Sequence, residues 1–193
     1  MKIYTRKGDD GTTGLLFGGR VRKDSALPTA YGTVDEAQAV LGVARARTER
    51  GGELDELLVR LERDLWVLMA ELATDRSNRA KLTPGRNLVT VEMVTALEHL
   101  IDDLSARFDP PTEFVVPGED QIAAYLDLAR TVVRRSERDA LRALGDLAAE
   151  GQCVVYLNRL SDLLWTMARW QEGESRPARI DPNEQPSGAH DGN

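Results

Sequence analysis

The sequence predicts an all-α protein, a five-helix up-and-down bundle preceded by a loop rich in glycine and threonine. Apolar residues recur at spacings of three and four in five separate stretches, the period of an amphipathic helix. The breaks between these stretches carry Gly51-Gly52, Pro84-Gly85, Pro110-Pro111 and Gly151. The chain has 193 residues, 41% of them hydrophobic and 30% charged, enough for one ordinary domain with a sizeable core. No internal repeat and no second domain is visible.

Residues 1–24 read as loop with short extended pieces. Lys2-Ile3-Tyr4-Thr5 is a candidate brief strand, and Leu15-Leu16-Phe17 an apolar pin for the loop. Gly18 to Asp24 is polar and basic. The first helix starts near Thr29, with Tyr31, Val34, Ala37, Val40-Leu41 and Ala44 on one face, and ends at Gly51-Gly52. The second spans 53–74. Leu54, Leu57-Leu58, Leu61, Leu65, Leu68-Met69 and Leu72 form its stripe, which Trp66 widens. Residues 75–87 read as a long polar loop. The third helix runs from Thr90 to Phe108 with Val91, Val94, Leu97, Leu100-Ile101 and Leu104 inward and His99 on its solvated side. Asp109-Pro110-Pro111 stops it, because proline lacks a donor and disfavours helix just before it.

Phe114-Val115-Val116-Pro117-Gly118 is a short apolar loop that either plugs the bundle end or faces an apolar ligand. The fourth helix covers 119–147, with Ile122, Leu126, Ala129, Val132-Val133, Leu141 and Leu144 inward. It also carries Arg130, Arg134, Arg135, Glu137 and Arg138. Arg130, Arg134 and Glu137 share a face beside the apolar stripe, which suits either a solvated ion-pair ladder or a ligand site. The fifth helix, 154–172, buries Leu157, Leu160, Leu164, Met167 and Ala168. Asn158, a weak helix former, stands mid-helix with Asp162 four residues on, and a hydrogen bond to a ligand is one reason for it. Residues 1–172 thus make a single domain, and 173–193 have the composition of a disordered tail.

The chemistry concentrates in Thr5-Arg6-Lys7-Gly8-Asp9-Asp10-Gly11-Thr12-Thr13-Gly14. Its glycines permit close backbone approach, and successive N–H groups form a nest for an anion. Three threonines add hydroxyls. Arg6, Lys7 and the later Lys23 add positive charge. Asp9 or Asp10 suits a Mg²⁺ held against a polyphosphate. Gly-Asp-Asp-Gly is also a good turn sequence. The loop is neither a Walker A motif nor a dinucleotide fingerprint.

Bulk properties exclude other classes. A net charge of −7 argues against nucleic-acid or anionic-membrane coating. The single cysteine, Cys153, excludes an intramolecular disulfide and a cysteine-based zinc site. The two histidines, His99 and His190, exclude a multi-histidine metal site. No apolar run approaches the roughly 18 residues of a membrane span. With no signal peptide at its start, the chain is expected to be cytoplasmic.

Taken together, the pieces Tyr4 to Thr13, Lys23-Asp24, Tyr31-Gly32-Thr33-Val34-Asp35-Glu36, Phe114 to Gly118, Arg130 to Arg138 and Tyr156 to Asp162 resemble, in their order, the PduO-type ATP:cob(I)alamin adenosyltransferases. The resemblance runs from Ile3 to Trp170. It implies a ferritin-like bundle in a homotrimer with sites between neighbouring subunits. ATP with Mg²⁺ would be bound by Thr5, Arg6, Lys7, Gly8, Asp9, Gly11, Thr12, Thr13 and Gly14, by Lys23, and by Arg134, Arg135, Glu137, Arg138 and Asn158. Arg134 and Lys23 would stabilise the leaving triphosphate. Asp35 would pair with Arg130 across the subunit boundary. Phe114 would sit under cobalt and disfavour its dimethylbenzimidazole ligand. No residues are assigned to a resident metal. A flavin-type reductase and an adenosylcobalamin-dependent acceptor enzyme are the implied partners, with no nucleic acid and no membrane. The alternative on the same bundle is a sensing or delivery module that binds ATP or adenosylcobalamin without turnover. One departure stands out: Glu119-Asp120 follows Pro117-Gly118, where the family pattern has a glycine and small residues.

Overall fold

The computed structural model describes residues 3, 4 and 6–179. Among the described residues, five α-helices carry the fold: α1 Ala26–Arg45, α2 Glu53–Leu72, α3 Val91–Ser105, α4 Gln121–Leu144 and α5 Cys153–Glu172. α1 packs on α4 and α2, α4 on α5, and α5 on α3. Short strands form two antiparallel pairs among the described residues: β1 Thr12–Gly14 with β2 Arg20–Arg22, and β3 Val115–Val116 with β4 Arg176–Pro177.

The helix boundaries differ from the periodic reading for local reasons. α1 starts at Ala26, so Pro28 falls in its first turn, where its missing N–H has no intrahelical partner to lose. It ends at Arg45, well before Gly51-Gly52. There the Asp55 carboxylate accepts from Arg45 Nε at 2.7 Å and Gly51 N at 2.9 Å, folding the chain back into α2. Thr90 caps α3 by accepting from Met93 N. Asp120 caps α4 by accepting from Ile122 N and Ala123 N at 2.8 and 2.9 Å. That capping is the use of one of the two residues that depart from the family pattern. The segment read as a long loop after α2 contains a 3₁₀ turn, Arg76–Lys81, opened by Asp75.

The leucine and alanine stripes of the five helices make one continuous core. Three residues assigned inward lie outside it. Trp66 is 67% exposed, Val91 57% and Leu141 46%. Each stands at the edge of its stripe, where periodicity gives the face of a helix but not its width. Within the segment read as a tail, Arg176 and Pro177 form β4. Among the described residues of Lys2–Thr5, Ile3 and Tyr4, there is no strand, and Ile3 is exposed.

Several buried polar groups are paired across elements, although Arg79 Nη1 and Arg169 Nε make no hydrogen bond. Glu71, fully buried, accepts from Arg79 Nη2 at 2.6 Å and from Val89 N at 2.9 Å, clasping the 73–89 segment against α2. Asp139 accepts from Thr33 Oγ1 at 3.0 Å, joining α4 to α1. Cys153 is buried, and burial pushes its thiol well above its ordinary value. The Tyr156 hydroxyl, also buried, donates to Asp64 Oδ2 at 3.0 Å.

Asp64 gives a pH-dependent prediction. Burial raises its carboxyl above the usual range, opposed by the Tyr156 hydrogen bond and the Arg60 charge. The folded chain therefore holds this proton more tightly than the unfolded chain. The resulting stabilisation is complete below the unfolded value and is lost as pH rises through the folded one. Asp64→Asn keeps an acceptor for Tyr156 and removes the charge. At neutral pH it should raise Tm by about 2–4 °C, the equivalent of roughly 1 kcal/mol. Below the carboxylate range it should change little. Thermal melts at the two pH values check this, and a lower Tm at neutral pH would count against it.

Candidate active site

The amino-terminal loop is shaped by its own side chains. Asp10 Oδ1 accepts from Thr12 N at 2.9 Å and Thr12 Oγ1 at 2.7 Å, an Asx turn that fixes the tip. These hydrogen bonds hold the Asp10 carboxyl below its ordinary range. Gly11 takes φ +79°, which the turn requires and other residues rarely adopt. Arg6 also lies in the left-handed region at φ 61°, which costs a non-glycine residue about 1 kcal/mol or more. Its guanidinium lies 5.7 Å from the Tyr4 ring centre. Thr5 falls outside the described residues.

The β1–β2 hairpin brings Lys23 back to this loop. Thr12 faces Arg22 in the ladder, and Lys23 N donates to Gly11 O at 2.9 Å. A Cβ on Gly8 would meet Lys23 Nζ and Thr12 O, each at 3.1 Å. Gly8 is therefore the gap through which the lysine ammonium approaches the loop backbone. Arg20 was not a sequence candidate, yet it clasps the loop: Nε donates to Thr12 Oγ1 at 3.0 Å, and Nη2 reaches Lys7 O and Thr12 Oγ1, both at 2.5 Å. Only the hairpin register reveals it, because Arg20 sits across from Gly14 and beside the Thr13 pair. Leu15 is buried, and Leu16 N donates to Ala73 O at 2.8 Å, docking the hairpin on the end of α2. Of the predicted apolar pin, Leu15 and the Leu16 backbone do this, while the Leu16 and Phe17 side chains stay 36% and 40% exposed.

A second cluster lies on α4 and α5. Asn158 Nδ2 donates to Glu137 Oε1 at 3.1 Å, which accounts for the mid-helix asparagine as a tie between the helices. Arg138 Nη1 donates to Arg134 O at 2.8 Å, and both arginines are exposed. Arg135 is engaged by Glu36 of α1. A third group surrounds Phe114, which is 88% exposed. A cavity of about 470 Å³ beneath it is lined by Phe114, Val115, Asp127, Arg130, Trp165 and Arg169, among others. Arg130 Nε lies 3.2 Å from Asp127 Oδ1.

Asp35 is elsewhere. It lines an apolar groove of about 420 Å³ with Leu16, Tyr31, Gly32, Trp66 and Met69. Within one chain, Arg130 is paired with Asp127 and not with Asp35. Among the described residues, no three histidine, cysteine or carboxylate side chains gather to hold a metal. A Mg²⁺ carried in with a triphosphate needs only one or two carboxylates. Asp9 is exposed and fits that need, whereas Asp10 is committed to Thr12. Among the described residues, no helix is long and apolar enough to cross a membrane.

The structure is thus a helical bundle with a glycine- and threonine-rich loop clasped by Arg20 and an arginine-bearing face on α4. Residues 3–171 match the cobalamin adenosyltransferase family, and the chain belongs to it. It is 43% identical to a corrinoid adenosyltransferase of Citrobacter freundii over 89% of this chain and 95% of that one. It is 36% identical to the corrinoid adenosyltransferase PduO of Salmonella typhimurium, covering 93% of this chain and 52% of that longer protein. The fold is similar to a variant PduO-type ATP:corrinoid adenosyltransferase from Lactobacillus reuteri complexed with cobalamin and ATP. The TM-score is 0.80 at 26% identity, covering 93% of this chain and 100% of that one.

Proposed function

We propose that this chain transfers the 5′-deoxyadenosyl group of ATP to the cobalt of cob(I)alamin. The Co(I) electron pair forms the Co–C5′ bond, the C5′–O bond breaks, and triphosphate leaves with its electrons. The reaction calls for no protein nucleophile, and the sole thiol is buried. The protein's task is to hold two substrates in line, a gain of roughly 7–11 kcal/mol in ideal cases, and to stabilise charge on the leaving group. The observation that carries this reading is the loop itself. Gly8 leaves room for the Lys23 ammonium against the loop backbone, in a chain whose family is established.

In this reading the Gly8–Gly14 loop with Lys23 grips the triphosphate, and Mg²⁺ would sit near Asp9 and offset phosphate charge. Arg134, Arg138, Glu137 and Asn158 complete the nucleotide site. The loop's hydrogen bonds run to Arg20 and Lys23, while Glu137 of the α4 face is tied to Asn158 of α5. We assign the two halves of one site to neighbouring copies in a homotrimer. The exposed apolar groove around Trp66 and the carboxylate of Asp35, which has no ion-pair partner among the described residues, support this, with Asp35 reaching Arg130 of the next copy. Phe114, displayed on its loop, would exclude the lower cobalt ligand and so ease reduction of Co(II). A flavin-type reductase and an acceptor enzyme for adenosylcobalamin are the partners this chemistry asks for, in the cytoplasm.

The deciding experiment is an anaerobic absorbance assay with chemically reduced cob(I)alamin and MgATP. Loss of the Co(I) band with growth of a light-sensitive alkylcobalamin spectrum is the expected result. ATP binding with Co(I) left untouched would instead make the chain a sensing or delivery module.

A further inference from the structure

Phe114 is displayed on a loop that does little to hold itself. Its neighbours Thr112, Glu113, Val116, Pro117 and Gly118 are all exposed. What fixes the loop is β4, which arrives from the other end of the chain. Val115 pairs with Pro177 and Val116 with Arg176. Ala178 N donates to Phe114 O at 2.6 Å, and Arg176 Nε lies 3.1 Å from Glu119 Oε1. Glu119 is the second of the two residues that depart from the family pattern, and here it has a specific partner.

A two-residue ladder containing proline is too weak to set its own position. Its place depends on how the chain leaves α5, and that exit is built around Arg169. This side chain is 1% exposed. Its Nη2 donates to Asp127 Oδ2 at 2.6 Å and to Glu172 Oε2 at 2.9 Å, and its Nε lies 2.8 Å from Glu172 Oε1. Ser175 Oγ donates to the same Glu172 carboxylate. Gly173, between them, takes φ +71° and turns the chain toward β3. Apolar packing would hold α5 against α4 at least as well as a buried charge network. The network therefore calls for a role beyond core stability.

We infer that Arg169 is a positioning residue for the Phe114 loop, acting through Glu172 and Ser175 to fix the start of β4, which in turn holds the backbone at Phe114. The aromatic ring is then presented at a set height above the cavity that Arg169, Asp127 and Trp165 line from below. This inference rests on the reading of Phe114 as the group that excludes the lower cobalt ligand.

The test uses the full-length protein with three substitutions, Arg169→Met, Ala178→Pro and Phe114→Ala. Ala178→Pro removes the donor to Phe114 O at an exposed position, so it stands if Arg169→Met fails to fold. The readouts are the fraction of bound cob(II)alamin that lacks a lower ligand, by electron paramagnetic resonance with MgATP present, amide exchange over residues 111–118, and ATP affinity. Ala178→Pro, and Arg169→Met where folded, should lower the ligand-free fraction by roughly fivefold, the effect of one lost hydrogen bond. Loop exchange should quicken by about tenfold. ATP affinity should stay within about twofold, because the nucleotide loop is held by other partners. If Phe114→Ala loses the ligand-free species while the other two keep it, with loop exchange unchanged, the inference is overturned. If Phe114→Ala itself keeps that species, the reading of Phe114 fails and the inference falls with it.

Discussion

Arg134→Ala is expected to lower turnover by roughly 10²–10³-fold, the usual cost of removing one donor that meets charge growing in the transition state. The side chain is exposed on α4, so its loss opens no cavity in the core. Its backbone oxygen, which accepts from Arg138, remains in place. Assembly and melting temperature should therefore hold while kcat falls. ATP affinity should change less than kcat, because an interaction made mainly in the transition state adds little to the ground state. Arg134→Lys should recover only part of the loss, since an ammonium keeps the charge but not the two-pronged fork suited to phosphate. Anaerobic kinetics with size-exclusion chromatography check both halves. Near-normal turnover in a well-assembled Arg134→Ala protein would remove Arg134 from the proposed site.

Glu71→Ala is expected to carry the largest stability cost. Its carboxylate is fully buried and bonds both Arg79 and the Val89 backbone. Removing it strands a guanidinium that retains little access to water, a penalty of about 3–5 kcal/mol. For a chain of this size that corresponds to a Tm drop of roughly 6–20 °C. The double replacement Glu71→Leu with Arg79→Leu removes both charges and should sit far closer to the parent. Thermal melts of the three proteins decide the matter. A Glu71→Ala protein within about 2 °C of the parent would mean the pair is dispensable.

Much of this architecture was legible because helix periodicity survives in sequence. Val34, Ala37 and Leu41, or Leu157, Leu160 and Leu164, announce their buried faces directly. What periodicity leaves open is where a stripe stops. Trp66 reads as core by spacing and by chemistry, yet it borders the groove that holds Asp35. The helix ends were hidden for another reason. They are set by single long-range or capping contacts, such as Asp55 to Gly51, that leave no periodic trace. The loop's glycines and threonines were visible, but Arg20 was not, because its role follows from a three-residue hairpin register. β4 was hidden most deeply. Its residues have the composition of a tail, and they form a strand only because Val115-Val116 and the Arg169 network meet them.

The burial of Cys153 has a practical reach. Only the thiolate reacts readily with maleimides or methanethiosulfonates, and this thiol is both hidden and held protonated. The native chain is therefore already blank to thiol labelling. A single His99→Cys replacement on the solvated side of α3 would give each copy one reactive handle. In the proposed homotrimer, spin labels placed there would report distances between copies. A symmetric ring of three gives one distance, and the same labels would show whether adding ATP, corrinoid or both draws the subunits closer.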